Sequence, residues 1–108
     1  MLTDQKIDRL ASTGHGKRRI LAIADECDGP ILAVERTVLG YWHVSVSVPC
    51  AGARLAQGGG STFAQAVSAC EEDAVRMREL LAWAGAQAHA TEAVNAAVAV
   101  LRHIEGAR

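Results

Sequence analysis

The stretch ILAVERTVLGYWHVSVSV, residues 31–48, alternates apolar and polar side chains with a period of two on either side of Gly40. Leu32, Val34 and Arg36 share one face of a first strand, and Trp42, Val44, Val46 and Val48 share one face of a second. A two-residue turn at Leu39-Gly40 would set Val34 against Ser45 and so bring an apolar face against a polar one. A three-residue loop, Val38-Leu39-Gly40, instead puts Gly40 at the left-handed bulge position and pairs Val34 with Val44, Leu32 with Val46 and Arg36 with Trp42. The second register is the expected one. The opposite face then carries Ala33, Glu35, Thr37, Tyr41, His43, Ser45 and Ser47, a polar surface open to solvent or to a partner.

Working downstream, Pro49 cannot donate a ladder hydrogen bond and ends the strand, and Cys50-Ala51-Gly52 turns the chain into a short third strand over residues 53–57. Three glycines follow, then a helix over residues 62–84 whose stripe of Phe63, Val67, Cys70, Ala74, Met77, Leu81 and Ala84 is suited to cover the Trp42–Val48 face. Glu72 and Arg76 are spaced for an exposed ion pair on it. Gly85 interrupts, and a last helix over residues 88–105 presents Val94, Ala97, Val98, Leu101 and Ile104. Upstream, Thr3 or Asp4 can cap a short helix carrying Ile7, Leu10 and Ala11, stopped by the glycines at 14 and 16.

Residues 17–28 fit two periods: Ile20, Ile23, Ala24 and Cys27 are helical in spacing, whereas Leu21 and Ile23 alternate as in a strand. Gly29-Pro30 is a helix stop and favours helix, although basic residues at the start and acidic ones at the end oppose the helix dipole by about 0.3–1 kcal/mol each. The expected fold is therefore α+β. A three-stranded antiparallel sheet packs on one long helix, with a helical N-terminal segment (1–29), a βββα core (31–85) and a C-terminal helix (88–105) in a single domain of 108 residues.

Eleven Lys and Arg against twelve Asp and Glu leave a net charge of −1, so no global field draws the chain to nucleic acid or to an anionic membrane. The Lys17-Arg18-Arg19 run is the local candidate for nucleic-acid contact, a weak one without interleaved aromatic residues. Three cysteines, Cys27, Cys50 and Cys70, are odd in number and widely spaced, which fits reduced thiols in the cytoplasm. No apolar run has signal-peptide length or the roughly 20 residues of a membrane span, so a cytoplasmic protein that neither is secreted nor enters a membrane is expected.

Two constellations bear on chemistry. Backbone N–H groups of Gly59, Gly60, Ser61 and Thr62 at a helix start are a place for an anion. The Walker pattern needs a lysine where Gly60 stands, and a capping box of Thr62 with Gln65 around a sharp turn of positive φ explains the same residues. Glu35 and His43 become cross-strand neighbours, the arrangement in which a carboxylate orients an imidazole, although such pairs are also common on solvated sheets. The cysteines and the four histidines form no ligand pair at metal spacing, and no metal or cofactor is implied. Trp42 fits the sheet–helix interface, stacked on Arg36, while Trp83 sits off the main stripe and can pack on the last helix or anchor a partner.

The run YWHVSVSVPCAGARLAQGGGSTFAQAVSACEEDAV, residues 41–75, resembles the core of the HicB-type antitoxin family. Val48-Pro49, Gly52, Gln57-Gly58, Thr62 and Ala66-Val67 follow that layout of strand, Pro/Gly turn, short strand and glycine-led helix. The likeness extends over the hairpin from residue 31 to about residue 80. Two extra glycines precede Ser61, Gln65 replaces an acidic residue, and no helix-turn-helix or ribbon-helix-helix pattern follows the long helix. The resemblance implies a non-catalytic domain without a DNA-binding half, which masks a ribonuclease-type toxin, usually as an oligomer. A short, nearly neutral domain of this shape also suits an inhibitor encoded by a phage or other mobile element and aimed at a host-defence component, and the short edge strand and the apolar stripe of residues 94–104 suggest a homodimer. The surfaces expected to serve are the polar sheet face (Glu35, Thr37, Tyr41, His43), the sheet edge, Trp83 and the last helix. The alternatives are a small enzyme or anion-binding protein using GGGST with His43 and Glu35, and nucleic-acid binding through Lys17–Arg19.

Overall fold

A computed structural model of the chain describes residues 2–22, 30–48, 53–85 and 88–107. In chain order the elements are α1 (Asp4–Ala11), β1 (Lys17–Ala22), β2 (Ile31–Arg36), β3 (Trp42–Val48), β4 (Ala53–Gly60), α2 (Phe63–Trp83) and α3 (Ala88–Ala107). The fold is α+β, but the sheet has four antiparallel strands in the order β1-β2-β3-β4 rather than three.

The β2–β3 hairpin has the register that its alternation demands, with Val34 opposite Val44, Leu32 opposite Val46 and Arg36 opposite Trp42. Gly40 takes φ +92°, the left-handed value the three-residue loop requires, and the Thr37 N–H closes the loop by donating to the Tyr41 carbonyl at 2.8 Å.

The extra strand is β1, which corrects the helical reading of residues 17–28 over its first half. Residues 23–29, and with them the glycine stop, lie outside the described residues, as does the turn at 49–52. Strand wins here because its partner is distant in sequence: Arg19 lies opposite Val34 and Leu21 opposite Leu32, so both face inward, while Ile20 faces outward. The Arg19 Nη1 donates to the carbonyl of Arg9 in the last turn of α1, where a cation complements both the unpaired carbonyls and the dipole. As a helix N-terminus the same basic run would have been unfavourable.

Three rows of inward side chains cross the sheet: Leu21, Leu32, Val46 and Ala56; Arg19, Val34, Val44 and Gly58; Lys17, Arg36, Trp42 and Gly60. Against them lie Ile7 and Leu10 of α1, Phe63, Ala66, Val67, Cys70 and Ala74 of α2, and Ala97, Val98, Leu101 and Ile104 of α3, all in one core. The apolar stripe of α3 is thus closed against its own chain and is not a spare surface. The Arg36 guanidinium sits 4.7 Å over the Trp42 ring, whose other neighbour, Phe63, meets it edge-on at 5.5 Å. On α2 the buried stripe ends near Ala74; Met77 and Leu81 are half-buried and Ala84 is exposed. Arg76 pairs with Asp73 at 3.7 Å, not with Glu72. Gly85 (φ +66°) then ends the helix.

Candidate functional site

The glycine stretch proves to be strand, not loop. β4 runs through Gly60, and Gly58, Gly59 and Gly60 pair with Val44, His43 and Trp42 in turn. None of the three has positive φ, so freedom of the backbone is not why they are there. Proximity is. A Cβ on Gly58 would stand 2.2 Å from the Cys70 nitrogen and 2.5 Å from the Ala69 carbonyl carbon, because the backbone of α2 lies directly on β4. A Cβ on Gly60 would stand 2.6 Å from the Gln65 Cβ, on the same face. Gly59 points the other way, and there the Tyr41 ring lies over it, with Oη 2.5 Å from the position of an added Cβ.

The helix start is satisfied from within. Gln65 N–H donates to Thr62 Oγ1 at 3.1 Å, and Gln65 Oε1 accepts from both the N–H (3.0 Å) and the hydroxyl (2.7 Å) of Ser61. The capping pair is therefore present, with the glutamine reaching one residue beyond the cap. Gly59 and Gly60 are thus extended in β4 rather than curled at the helix start, and the Ser61 N–H is taken by Gln65 Oε1.

The outward face of the sheet is where the predicted polar residues gather. Its rows are Arg18, Glu35, His43 and Gly59; Ile20, Ala33, Ser45 and Gln57; Ala22, Ile31, Ser47 and Arg54. Glu35 and His43 are cross-strand neighbours as expected, yet the partner that holds the imidazole is Gln57, whose Oε1 lies 3.2 Å from His43 Nε2. That Oε1 also accepts from Arg54 Nη1 at 2.7 Å. Thr37 is occupied in the turn, its hydroxyl accepting the Tyr41 N–H at 3.0 Å. Tyr41 itself is exposed, as is Ile20. Trp83 is 89% exposed and does not pack on α3. It stands apart from the sheet face, 13 residues and so about 20 Å along α2 from the contact with Gly58.

Sequence reasoning did not assign Arg18, Ile20, Arg54 or Gln57 to this face, and the two arginines show why. Arg18 was hidden in a basic run that the strand divides, sending Arg18 outward while Lys17 and Arg19 turn to the other side; the run is not one continuous basic patch. Arg54 depends on a β-bulge. Val46 pairs with Ala56 but Ser47 pairs with Arg54, so Leu55 is the extra residue, and the phase of β4 inverts across it. Strict alternation would have placed Arg54 with Ala56 on the core side. The legible trace is the adjacent apolar pair Leu55-Ala56, two where alternation expects one.

Elsewhere, Cys70 is fully buried, and burial, helped by Asp73, pushes its thiol up to about 12. Cys27 and Cys50 lie outside the described residues. Among the described residues no three His, Cys, Asp or Glu side chains converge as metal ligands, and no helix is long and apolar enough to cross a membrane. At the α2–α3 interface Arg102 Nε donates to Glu71 Oε1 at 2.8 Å. That bond holds the Glu71 carboxyl below its ordinary value, while burial and then the neighbouring Glu71 push Glu105 above it. The chain matches no protein-family profile, no curated protein and no solved structure.

Proposed function

We propose that the protein is a non-catalytic binding domain that masks a protein partner, using the outward face of its sheet. The observation that carries this reading is the asymmetry of the sheet: all three helices feed one core on the inward face, while the outward face carries none of that core and presents Tyr41 (52% exposed) and Ile20 (60% exposed) among charged groups. Large apolar side chains ringed by polar ones are the composition of a docking surface. Glu35, Tyr41 and His43 belong to this face; Trp83 serves as a separate anchor at the end of α2. The HicB-type likeness favours a toxin or a defence-system component as the partner, with β1 as an addition to that layout. A homodimer belongs to the same reading. It is favoured at β1, an edge strand, because on the β4 side the Gln57 N–H already donates to Asp73 Oδ2 at 2.9 Å.

The test is capture with the immobilised protein, followed by reconstitution with the purified partner and titration calorimetry. Combined Ile20→Ala, Tyr41→Ala and His43→Ala substitution is expected to weaken the complex about a hundredfold, the scale of one or two hot-spot residues. Undiminished affinity in that triple variant would remove the sheet face from the reading. Sedimentation equilibrium decides the dimer, and a monomer at all accessible concentrations refutes it.

A further inference from the structure

The centre of the outward face is sunken. Ala33 and Ser45 are only 7% and 8% exposed although they lie on the sheet surface opposite the helical core. They form the floor of a cup of about 210 Å³ whose wall is built by Arg18, Glu35, His43 and Arg54. Small residues at the crossing of the two central strands make the hollow; long side chains from all sides raise its rim.

Two of these side chains are guanidinium groups with donors to spare. Arg54 spends Nη1 on Gln57 Oε1, which fixes its position next to His43 and leaves most of its five N–H donors unspent. Arg18 has no hydrogen-bond or ion-pair partner among the described residues, even though Glu35 is its direct cross-strand neighbour. The bulge at Leu55 matters here, since it alone brings Arg54 to this side of the sheet. Bulges that re-aim one side chain recur beside binding sites.

Charge and size select the ligand. Two guanidinium groups against one carboxylate give the Arg18, Arg54 and Glu35 wall a charge of +1, matched by a monoanion; a phosphate dianion would bring excess charge against Glu35. The volume lies below the roughly 300–1,000 Å³ of sites that enclose a whole small molecule. It suits one functional group delivered by something larger. A planar carboxylate fits the guanidinium fork, and Ile20 lies in the row of the floor to pack on the chain that carries it.

We propose that this cup is the anchor point for an acidic segment of the partner protein, one Asp or Glu carboxylate of which enters between Arg18 and Arg54. This rests on the reading of the outward face as the docking surface, and makes it specific: the partner's contact element is acidic, and Arg18 and Arg54 decide which partners are accepted. Glu35 acts as the discriminating charge that turns away phosphates.

The experiment needs no partner. The full chain is titrated with N-acetyl-glutamate N-methylamide at low salt and followed by NMR at the amides of Ala33 and Ser45 and at the arginine Nε–H signals. Saturable shifts are expected at all of these positions, and Arg18→Gln, which removes no hydrogen bond or ion pair among the described residues, weakens binding about tenfold, as does Arg54→Gln. Lys17→Gln, on the other face, leaves it unchanged, and Glu35→Gln admits inorganic phosphate. Absence of saturation, or equal affinity in Arg18→Gln, overturns the proposal. So does tighter binding of phosphate or of a single-stranded oligonucleotide than of the carboxylate by the unmodified chain. If the cup binds carboxylate but the triple variant above still holds its partner, the docking face fails and the cup survives; the reverse pattern leaves a docking face that uses no carboxylate.

Discussion

Replacing Gly58 by alanine is expected to be among the most damaging single-methyl changes in this protein, and its neighbour Gly59 shows why. An added Cβ at Gly58 meets backbone, the Cys70 nitrogen at 2.2 Å, and backbone of a helix does not swing aside. Restoring the 3.4 Å of ordinary contact requires α2 to retreat by at least about 1.2 Å, or β4 to buckle against its pairing with β3. Ala66, Val67 and Cys70 are packed flush in that interface. Contacts worth about 0.1–0.2 kcal/mol each forfeit a quarter to a half of their strength when a gap of 0.5–1 Å opens. Summed over three buried residues, this reaches about 3–4 kcal/mol, at or above the upper end of ordinary overpacking costs. Stiffening of the unfolded chain offsets only about 0.4–1 kcal/mol. The net loss of about 3 kcal/mol corresponds to a fall in Tm of about 12 °C or more. At Gly59 the added Cβ meets the Tyr41 ring, a half-exposed side chain free to rotate away, and the cost should stay below about 1 kcal/mol. Urea unfolding followed by far-ultraviolet circular dichroism measures both. A Gly58→Ala midpoint equal to the wild type, or a Gly59→Ala loss as large, would refute the account of the glycines as spacers for α2.

Four further outcomes follow from the same contacts. Thr62→Ala removes the acceptor for the Gln65 N–H and should cost about 1 kcal/mol in urea unfolding, the usual loss for a cap. With Cys27 and Cys50 replaced by serine, Cys70 should react with a disulfide reagent at pH 8 only as fast as the protein opens, because the thiol is both buried and pushed up to about 12. At the α2–α3 contact the two carboxyls have opposite pH signatures. Glu71, held low by Arg102, contributes stability above the ordinary carboxylate range that is lost as pH falls through its folded pKa; Glu105, raised by burial and by Glu71, contributes in acid and loses that contribution as pH rises through its folded pKa. Glu105→Gln should therefore raise the urea midpoint at neutral pH and not in acid, and Arg102→Gln should lower it at neutral pH only, each by the roughly 0.2–1 kcal/mol of an exposed pair. Trp83→Ala, on a side chain 89% exposed, should change stability by less than about 0.5 kcal/mol, so that any loss of partner binding in that variant reports the interface alone.

The parts of the fold that were legible in the sequence are those whose information is local. Gly40 and the alternation around it set the β2–β3 register to the residue, and the spacing of Val94, Ala97, Val98, Leu101 and Ile104 named the buried face of α3. β1 was not legible because Ile20, Leu21 and Ile23 satisfy both periods; pairing with β2 and the bond from Arg19 to the end of α1 decide it, and both partners are distant in sequence. The glycines misled for a related reason. A run of three resembles a breaker when only its neighbours are considered, whereas here two of them admit a helix backbone and the third admits a ring from the adjacent strand.

The same distinction accounts for what was seen and missed on the outward face. Glu35, Tyr41 and His43 lie in the hairpin, where phase is unbroken, and alternation assigns them to one side. Arg54 lies beyond Leu55, and a single inserted residue inverts every assignment that follows until the pairing is known. Arg18 lies in a strand whose existence depends on long-range pairing. A face assembled across four strands thus draws its two guanidinium groups from the segments where local periodicity is weakest, and its visible carboxylate and imidazole from the segment where it is strongest. For this reason the Glu35–His43 pair stood out as a dyad in the sequence, whereas in the folded sheet His43 is held by Gln57 and Glu35 stands beside Arg18, which has no hydrogen-bond or ion-pair partner among the described residues. This change of partners is the observation behind the proposal that the face recognises a carboxylate rather than transferring a proton.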